Sequence, residues 1–172
     1  MCALVLRSRR ADVGGVVEYL PLPASRRSEA LSVLSLLPAG AFVMAAGFEG
    51  KRAGVVTRSV AIVADEPLMV GVSIRRGHWI EPLVRDSRAF SISVLDSADV
   101  LSPRKFADEA SREDDPFDCI PWETLQSQAP VLRRSLAAID CEVVRRLDLE
   151  ADCALIIGRV LDAKIFSGVG AK

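Results

Sequence analysis

The sequence predicts a mostly β protein, built as a largely antiparallel barrel of about six strands with two or three short helices. Half of the residues are hydrophobic but only 5% are aromatic, so the core is mainly aliphatic and suits strands. Short extended runs follow one another through short connections, which is typical of meanders and barrels rather than of βαβ units. The 172 residues are enough for one ordinary domain. We expect an N-terminal arm over residues 1–24 and a single domain over residues 25–172.

The first expected element is a short helix after the arm. Ser25 or Ser28 can cap its start, and leucines and alanines at helical spacing form an apolar stripe behind them. Pro38 and Gly40 end this helix. Further helices are expected over residues 77–84 and 99–107. The polar, acidic and proline-bearing stretch 108–130 is expected to cross the surface, anchored to the core by Trp122.

The strands are predicted from runs of apolar residues between turn residues. A glycine-rich loop at 47–51 separates the first two runs, and Asp65-Glu66-Pro67 closes the second. Near the C-terminus, Ile139, Cys141 and Val143 alternate with charged residues, as in a strand with one buried face. The expected strands span residues 41–46, 55–63, 68–74, 89–95, 137–147 and 152–165.

Composition excludes several classes of function. The 22 basic and 23 acidic side chains nearly cancel, so net charge predicts neither a nucleic acid nor an anionic membrane as partner. No apolar run approaches the roughly 20 residues of a membrane-spanning helix, and the N-terminus has its apolar stretch before its charge, unlike a signal peptide. Four scattered cysteines and a single histidine do not indicate a zinc site. We expect buried free thiols in a reducing compartment, with the cytoplasm as the location.

Motifs for common enzyme chemistries are absent. The sequence contains no GxGxxG, GxxxxGK[ST], HExxH or GxSxG pattern. A nucleophile–histidine site would have to use His78, and no nucleophile stands near it in the sequence. Hydrolytic catalysis is therefore not predicted.

A basic cluster lies where a predicted strand ends and a predicted helix begins. It comprises Ser73, Arg75, Arg76, His78 and Trp79. Backbone N–H groups at a helix start lack partners and carry partial positive charge, and the arginines add cationic donors. A phosphate fits this combination best. The alternative is a solvated turn whose arginines bind nothing.

A second cluster places two small hydroxyl residues, Thr57 and Ser59, at alternate positions of a predicted strand. They would point to the same side and could hydrogen-bond a planar or sugar-like group close to the backbone. The alternative is that they fill a tight spot in the sheet.

Several runs of residues occur together in one order along the chain. They are LLPAG at 36–40, GVVTRS at 54–59, DEP at 65–67, SIRRGHW at 73–79, SRAFSISVL at 87–95, KFA at 105–107 and PVL at 130–132. This order resembles the flavin-reductase-like, FMN-binding split-barrel family. The resemblance covers about three quarters of the chain, from about Leu34 to Ile165.

The resemblance implies a six-stranded antiparallel split β-barrel with Greek-key character, usually a homodimer, with FMN bound noncovalently near the subunit interface. Thr57 and Ser59 would contact the flavin or its ribityl chain, with backbone groups from Arg58 and Val60. The remaining implied contacts are the phosphate ligands Ser73, Arg75 and Arg76, the covering residues His78 and Trp79, and Phe106 near the site. The compact basic loop favours FMN over FAD.

Two departures from the family pattern bear on turnover. Many members carry Gly-Asp-His at the turn into the last strands, where the histidine helps hold the nicotinamide donor, whereas this chain has Ala151-Asp152-Cys153. The usual C-terminal segment with Leu-Tyr is replaced by a short run of small residues. Both departures lie on the side of the second substrate.

The leading hypothesis is an FMN-dependent oxidoreductase that takes electrons from NADH, NADPH or a redox protein, in one version supplying a monooxygenase with reduced flavin. The alternative is a flavin-binding, storage or redox-sensing protein without turnover. A third reading is a barrel without cofactor that serves as an interaction module.

Overall fold

The computed structural model describes residues 12–13, 16–17, 23–37, 39–107, 115–149 and 151–166. The chain divides into two compact units, Met1–Pro38 and Ala39–Lys172, and each is described by itself. The boundary expected between residues 24 and 25 stays a prediction, and most of the expected arm lies outside the described residues.

The described residues of the first unit form one short hairpin and one helix. Strands β1 (Asp12–Val13) and β2 (Val16–Val17) pair antiparallel, and helix α1 spans Ala24–Leu34. The expected helix is confirmed, but it starts after Pro23, which makes no side-chain cap hydrogen bond. The helix ends at Leu34, three residues before Leu37. The N–H groups of Leu36 and Leu37 donate to carbonyls three residues earlier in the chain, which tightens the final turn.

The second unit contains a seven-stranded antiparallel sheet, a two-stranded sheet and two helices. In chain order the elements are β3 (Phe42–Phe48), β4 (Lys51–Thr57), β5 (Val60–Asp65), β6 (Leu68–Arg75), α2 (Ile80–Ser87), β7 (Ala89–Val94), α3 (Leu101–Lys105), β8 (Trp122–Thr124), β9 (Pro130–Leu132), β10 (Ala137–Asp148) and β11 (Cys153–Ile165). The large sheet has the order β4-β3-β7-β10-β11-β6-β5. The mostly β class with few helices is confirmed. Strands β4 and β5 are the two edges of this sheet and do not pair with each other, so the hydrogen-bonded ladder does not close into a barrel.

The expected count of six strands is wrong because the run 55–63 is two strands. The Thr57 hydroxyl accepts the backbone N–H of Ser59 at 3.2 Å, and this local bond turns the chain where a ladder would have continued. Strand β4 therefore ends at Thr57 and pairs with β3, while β5 starts at Val60 and pairs with β6. As a result, the two edge strands of the sheet are consecutive in the sequence.

The hairpin between β3 and β4 is tighter than the loop 47–51 that we expected. Both strands continue to a two-residue turn of Glu49 and Gly50, whose φ angles are 49° and 79°. Two positive φ angles are the requirement of the turn type whose twist matches a tight β-hairpin.

Both later helices start after their predicted first residue. Helix α2 begins at Ile80 instead of residue 77, because Gly77 has a φ of 76° and His78 Nδ1 accepts the Ile80 N–H at 3.2 Å. Helix α3 is limited to Leu101–Lys105, and the Asp99 carboxylate accepts the amide N–H groups of Leu101 and Ser102 ahead of it.

The stretch after α3 folds back onto the sheet. Residues 108–114 lie outside the described part, and β8 and β9 form a hairpin beyond them. The anchoring role expected for Trp122 is confirmed: its ring lies 6.2 Å from that of Phe117, and the Arg52 guanidinium lies 4.4 Å above it. Asp140, fully buried, accepts the Ser127 N–H at 2.6 Å and the Ser127 hydroxyl.

The sheet carries a hydrophobic cluster on each face. The first cluster includes Met44, Val72, Phe90 and Ile156. The second includes Val43, Phe106, Phe117 and Leu132 and holds the segment around α3 and β8.

The described cysteines are free thiols in three different environments. Cys141 is buried, and desolvation together with the Asp140 charge raises the pKa of its thiol to about 12. Cys153 is half-buried, while Cys119 is exposed, so the expectation of buried thiols is wrong for Cys119. Cys2 lies outside the described residues. In the part of the chain that the structure describes, no group of potential ligands could hold a metal ion, and no helix is long and apolar enough to cross a membrane.

Candidate functional site

The three predicted hydroxyl residues meet where the two edge strands are joined. Thr57 is buried, and its hydroxyl donates to the Ser73 carbonyl at 3.3 Å while accepting the Ser59 N–H. The Ser73 N–H donates to the Ser59 carbonyl at 3.3 Å. Thr57 and Ser59 are not alternate residues of one strand, as we predicted, but this network still brings them together with Ser73. Val60 follows directly and packs against the first hydrophobic cluster.

The basic loop after β6 is a turn whose backbone amides already have partners. The Arg76 N–H donates to the Asp152 carbonyl at 2.8 Å, the Gly77 N–H to a Glu81 carboxylate oxygen at 3.0 Å, and the His78 N–H to the Arg75 carbonyl at 3.2 Å. These are the amides from which we predicted a phosphate-binding helix start. Because these three amides have partners within the protein, anion binding at this loop would depend on its side chains.

His78 has a structural role in this turn. Its ring is buried, caps α2 through Nδ1, and stacks on Trp79 with 5.7 Å between ring centroids. Trp79 is half-buried and lines a cavity of about 580 Å³ with Phe48 and Leu83. The two residues expected to cover the flavin thus lie side by side at the start of α2.

The two arginines of the loop differ in their contacts. Arg76 donates to an Asp148 carboxylate oxygen at 2.7 Å and to the Ala151 carbonyl at 3.3 Å. Both side chains of this ion pair are about half exposed, where such pairs contribute little free energy and exchange partners readily. Arg75 is exposed and lies directly across the ladder from Cys153. Cys153, which stands where the resemblance would place a histidine, therefore lies next to the basic loop.

Arg58 lines the largest of the described cavities, with a volume of about 840 Å³. Its other walls include Gly40, Leu95, Asp96 and Ser97. The exposed Arg58 guanidinium forms no ion pair with any residue in the described ranges, so it is available to an anionic ligand. Sequence reasoning missed residues 95–97 as site residues, although polar side chains directly after a strand are a signal for binding loops.

Phe106 does not join the hydroxyl cluster. It is buried in the second hydrophobic cluster, where its ring meets that of Phe117 edge-on at 5.0 Å. A Cβ on Gly54 would come within 2.6 Å of this ring, so Phe106 covers Gly54. Since residues 54 and 57 point to opposite faces of β4, Phe106 and the Thr57 side chain lie on opposite sides of the sheet.

Comparison with known proteins gives one consistent match. Residues 34–172 match the model of the flavin reductase like domain. The chain is similar to an NADPH-flavin oxidoreductase of Streptomyces viridifaciens, with 33% identity over 131 residues, covering 74% of this chain and 67% of that one. It is 26% identical over 123 residues to the FMN reductase (NADH) RutF 2 of Rhizobium rhizogenes, covering 72% and 70% of the two chains.

Among solved structures, the chain resembles the NADH:FAD oxidoreductase SgcE6 of Streptomyces globisporus C-1027 with a TM-score of 0.74 and 21% identity. The superposition covers 86% of this chain and 88% of that one. At this level of identity the likeness shows a common fold.

Proposed function

Because this chain belongs to the flavin-reductase-like family, we propose that it is an FMN-dependent oxidoreductase that passes electrons from NADH or NADPH to flavin. The match to the family over residues 34–172 carries this proposal. The names of two relatives, an NADPH-flavin oxidoreductase and an FMN reductase (NADH), support both the flavin and the nicotinamide donor. A redox protein remains an alternative donor, and a monooxygenase that consumes reduced flavin is the partner protein we propose.

The flavin fits the region between the hydroxyl cluster and the Arg58 cavity. A volume of about 840 Å³ lies within the range of roughly 300–1,000 Å³ that cofactor sites occupy. Thr57, Arg58 and Ser59 are consecutive in the chain. The segment that carries the hydroxyl cluster therefore also provides Arg58 to the wall of the cavity. Thr57 holds this segment by its two hydrogen bonds. We assign it to positioning the segment.

The phosphate of FMN would be held by side chains. Arg58 offers a guanidinium without an internal acid partner among the described residues, and the exposed Ser59 hydroxyl lies next to it. Arg75 and Arg76 lie in the basic loop and can add further charge, and Arg76 must first leave Asp148. Bidentate guanidinium–phosphate pairs are strong and geometrically specific, so one or two arginines are enough to favour FMN over riboflavin.

When bound, FMN supplies the two-electron redox chemistry, and the chain needs no acid or base of its own. The residues of the chain orient the ring, hold the phosphate and limit access of water. This assignment accounts for the absence of a nucleophile–histidine pair in the sequence.

A second candidate function is flavin binding without turnover. Cys153 favours it, because a half-buried thiol is a weak hydrogen-bond donor compared with the histidine that many family members carry there. The two functions differ in one measurement: a binding protein holds FMN but oxidises no nicotinamide.

We also propose that the chain is a homodimer. Apolar side chains stand exposed on and beside the edge strand β5, with Ile62 73%, Val63 49% and Leu68 47% exposed. An exposed apolar edge strand invites pairing with another chain, and a second copy related by a twofold axis closes it without further growth. The three described cysteines are free thiols, which agrees with a reducing compartment, and we propose the cytoplasm.

The finer description that we propose for the fold is a split barrel of Greek-key type. Strand β7 lies between β3 and β10, and so the neighbours in the sheet are not neighbours in sequence. The bond from the Thr57 hydroxyl to the Ser73 carbonyl links the end of β4 to β6, which supports curling of the two sheet edges toward each other.

The test compares FMN and riboflavin binding in Arg58→Ala, because only FMN has a phosphate. We expect FMN to bind roughly 10-fold more weakly or worse, from the loss of a charge-assisted hydrogen bond, and riboflavin to change little. Fluorescence quenching of each flavin on titration with protein measures both constants. Arg104→Ala, which removes an exposed arginine outside the described cavities, is the matched control.

Equal weakening of FMN and riboflavin by Arg58→Ala would contradict the phosphate assignment. Mixing the FMN-loaded protein with NADH or NADPH under anaerobic conditions then tests turnover, since reduction bleaches the visible flavin bands. Bleaching by either donor supports the oxidoreductase, and a stable spectrum with both supports the binding protein.

A further inference from the structure

A second cavity lies between helix α2 and strands β6, β10 and β11, and none of its lining residues is one assigned to the flavin. Its volume is about 440 Å³. The side chains of Ile74, Val84 and Ile156 are buried and form its floor with the half-buried Val143. A floor of four aliphatic side chains favours a ligand with a compact apolar body, because its binding removes apolar surface from water.

The rim of this cavity is cationic. Arg85, Arg88 and Arg146 line it together with one acid, Glu81. Arg146 donates to Glu81 at 2.8 Å, and Arg85 donates to the neighbouring Asp86 at 2.8 Å. Two of the three arginines are thus paired with an acid, which leaves one arginine of the rim to consider.

Arg88 is the arginine of this rim that has no acid partner within the described ranges. It also stands in an unusual backbone conformation, with φ 54° and ψ 27° at the end of α2, where glycine or asparagine is the common choice. The Val143 N–H donates to the Arg88 carbonyl at 2.8 Å and fixes this position at the cavity wall. A long cationic side chain kept in a conformation that disfavours it points to a use for that side chain.

We propose that this cavity binds a compact organic monocarboxylate, with its carboxylate on Arg88 and its apolar body on the aliphatic floor. A guanidinium pairs with a carboxylate through two parallel hydrogen bonds, which fixes the orientation of the ligand. Arg146 and Arg85 already have acid partners, so the rim offers one cation without an acid partner among the described residues, and a monoanion matches it better than a dicarboxylate or a phosphate. The site requires no flavin, and its failure would leave the proposed redox function untouched.

The test uses benzoate as the probe and benzamide as its neutral analogue of the same shape. Calorimetric titration of the full chain is carried to about 10 mM ligand, where even a site with a dissociation constant of about 1 mM is mostly filled. We expect saturable binding of benzoate and much weaker binding of benzamide. In Arg88→Asn, benzoate affinity is expected to fall roughly 10- to 100-fold, because a hydrogen-bonded charge is lost, while asparagine keeps the left-handed backbone.

Two further variants separate this site from general electrostatics. Arg85→Gln removes an arginine of the same rim that Asp86 already neutralises, and benzoate affinity is expected to change by about twofold or less. Val143→Phe places a ring into the cavity and is expected to abolish benzoate binding while Arg88 stays intact. The proposal is overturned if wild-type protein shows no saturable binding, or if Arg88→Asn and Arg85→Gln weaken benzoate equally.

Discussion

Replacing Gly158 with alanine tests how closely the core of the sheet is packed. Gly158 lies in β11, between its partners Val143 on β10 and Val70 on β6. A Cβ added there would lie 2.5 Å from two ring carbons of Phe90 and 2.9 Å from the Cβ of Cys141. Both neighbours are fully buried, so neither can move aside into solvent.

The expected magnitude follows from these distances. Carbon atoms rest at about 3.5–4.0 Å, so the Phe90 ring must shift by about 1 Å within a close-packed core. Overpacking of this kind costs about 1–3 kcal/mol, and alanine returns about 0.4–1 kcal/mol by restricting the unfolded chain. We expect Gly158→Ala to lower the free energy of unfolding by about 1–2 kcal/mol and the melting temperature by roughly 2–8 °C.

Urea unfolding followed by circular dichroism measures this free energy. Gly47→Ala is the matched control, because a Cβ at this strand glycine would meet its nearest atoms at an ordinary 3.5 Å. We expect it to change the free energy of unfolding by about 0.5 kcal/mol or less. Phe90→Leu should reduce the cost of Gly158→Ala when the two are combined, by making room. An unfolding midpoint of Gly158→Ala equal to that of the wild type would refute the close packing described for β11.

Two other predictions follow from the burial of Cys141 and from the exposure of Ile62. Because the pKa of the Cys141 thiol is raised to about 12 from an ordinary 9.0, the unfolded chain loses this proton first and the folded chain holds it. The free energy of unfolding should therefore decline between about pH 9 and pH 12, by up to ~1.4 kcal/mol per pH unit from this group. Unfolding curves at several pH values check this, and Cys141→Ala should remove that part of the decline. Separately, Ile62→Lys should turn the proposed dimer into monomers in sedimentation experiments, because a charge on the β5 edge opposes pairing, whereas Val100→Lys at another exposed position should not. A dimer that persists in Ile62→Lys would place the interface elsewhere.

The alternation pattern predicted strand β10 but not what covers each of its faces. Ile139, Cys141 and Val143 do pack toward the first hydrophobic cluster, as expected. Asp140, which the same pattern assigned to the polar face, is fully buried because the segment before β9 returns over it and Ser127 hydrogen-bonds its carboxylate. The alternation of residues along a strand indicates the face of the sheet on which each side chain lies. It does not indicate which distant part of the chain covers that face.

The break between β4 and β5 could not be found by pattern, because valines flank it on both sides. A single hydrogen bond between the Thr57 hydroxyl and the Ser59 amide ends the strand there. Serine and threonine compete with the ladder for backbone donors in this way, but sequence alone does not decide whether they do so at a given place. The same limit applies to α2, which begins three residues after its predicted start, with the Ile80 N–H donating to the His78 ring.

Resemblance to a family and local chemistry together led to the predicted site residues, and the structure shows which of these residues lie near one another. Thr57 and Ser59 lie together, although by a turn instead of along one strand, and Ser73, which we predicted in the other cluster, joins them. The phosphate site expected at the basic loop stays a prediction, and Glu81, four residues after Gly77, already accepts the Gly77 N–H. Residues 95–97 were missed because the cavity they line is closed by chain segments far apart in sequence.

Internal acid partners separate the arginines of this chain into two groups with different consequences for binding. Arg76 and Arg146 each donate to a carboxylate of the protein, so an external anion must displace that acid before it gains their charge. Arg58 and Arg88 have no such partner in the described ranges, and each lines a different cavity. An anion binds most tightly at an arginine that has no internal acid partner, because no existing ion pair has to be broken first. The net charge of −1 conceals this distribution, because it sums paired and unpaired groups alike. The two anion sites that we propose, one for a flavin phosphate at Arg58 and one for a carboxylate at Arg88, each combine an arginine without an acid partner in the described ranges with a cavity that this arginine lines.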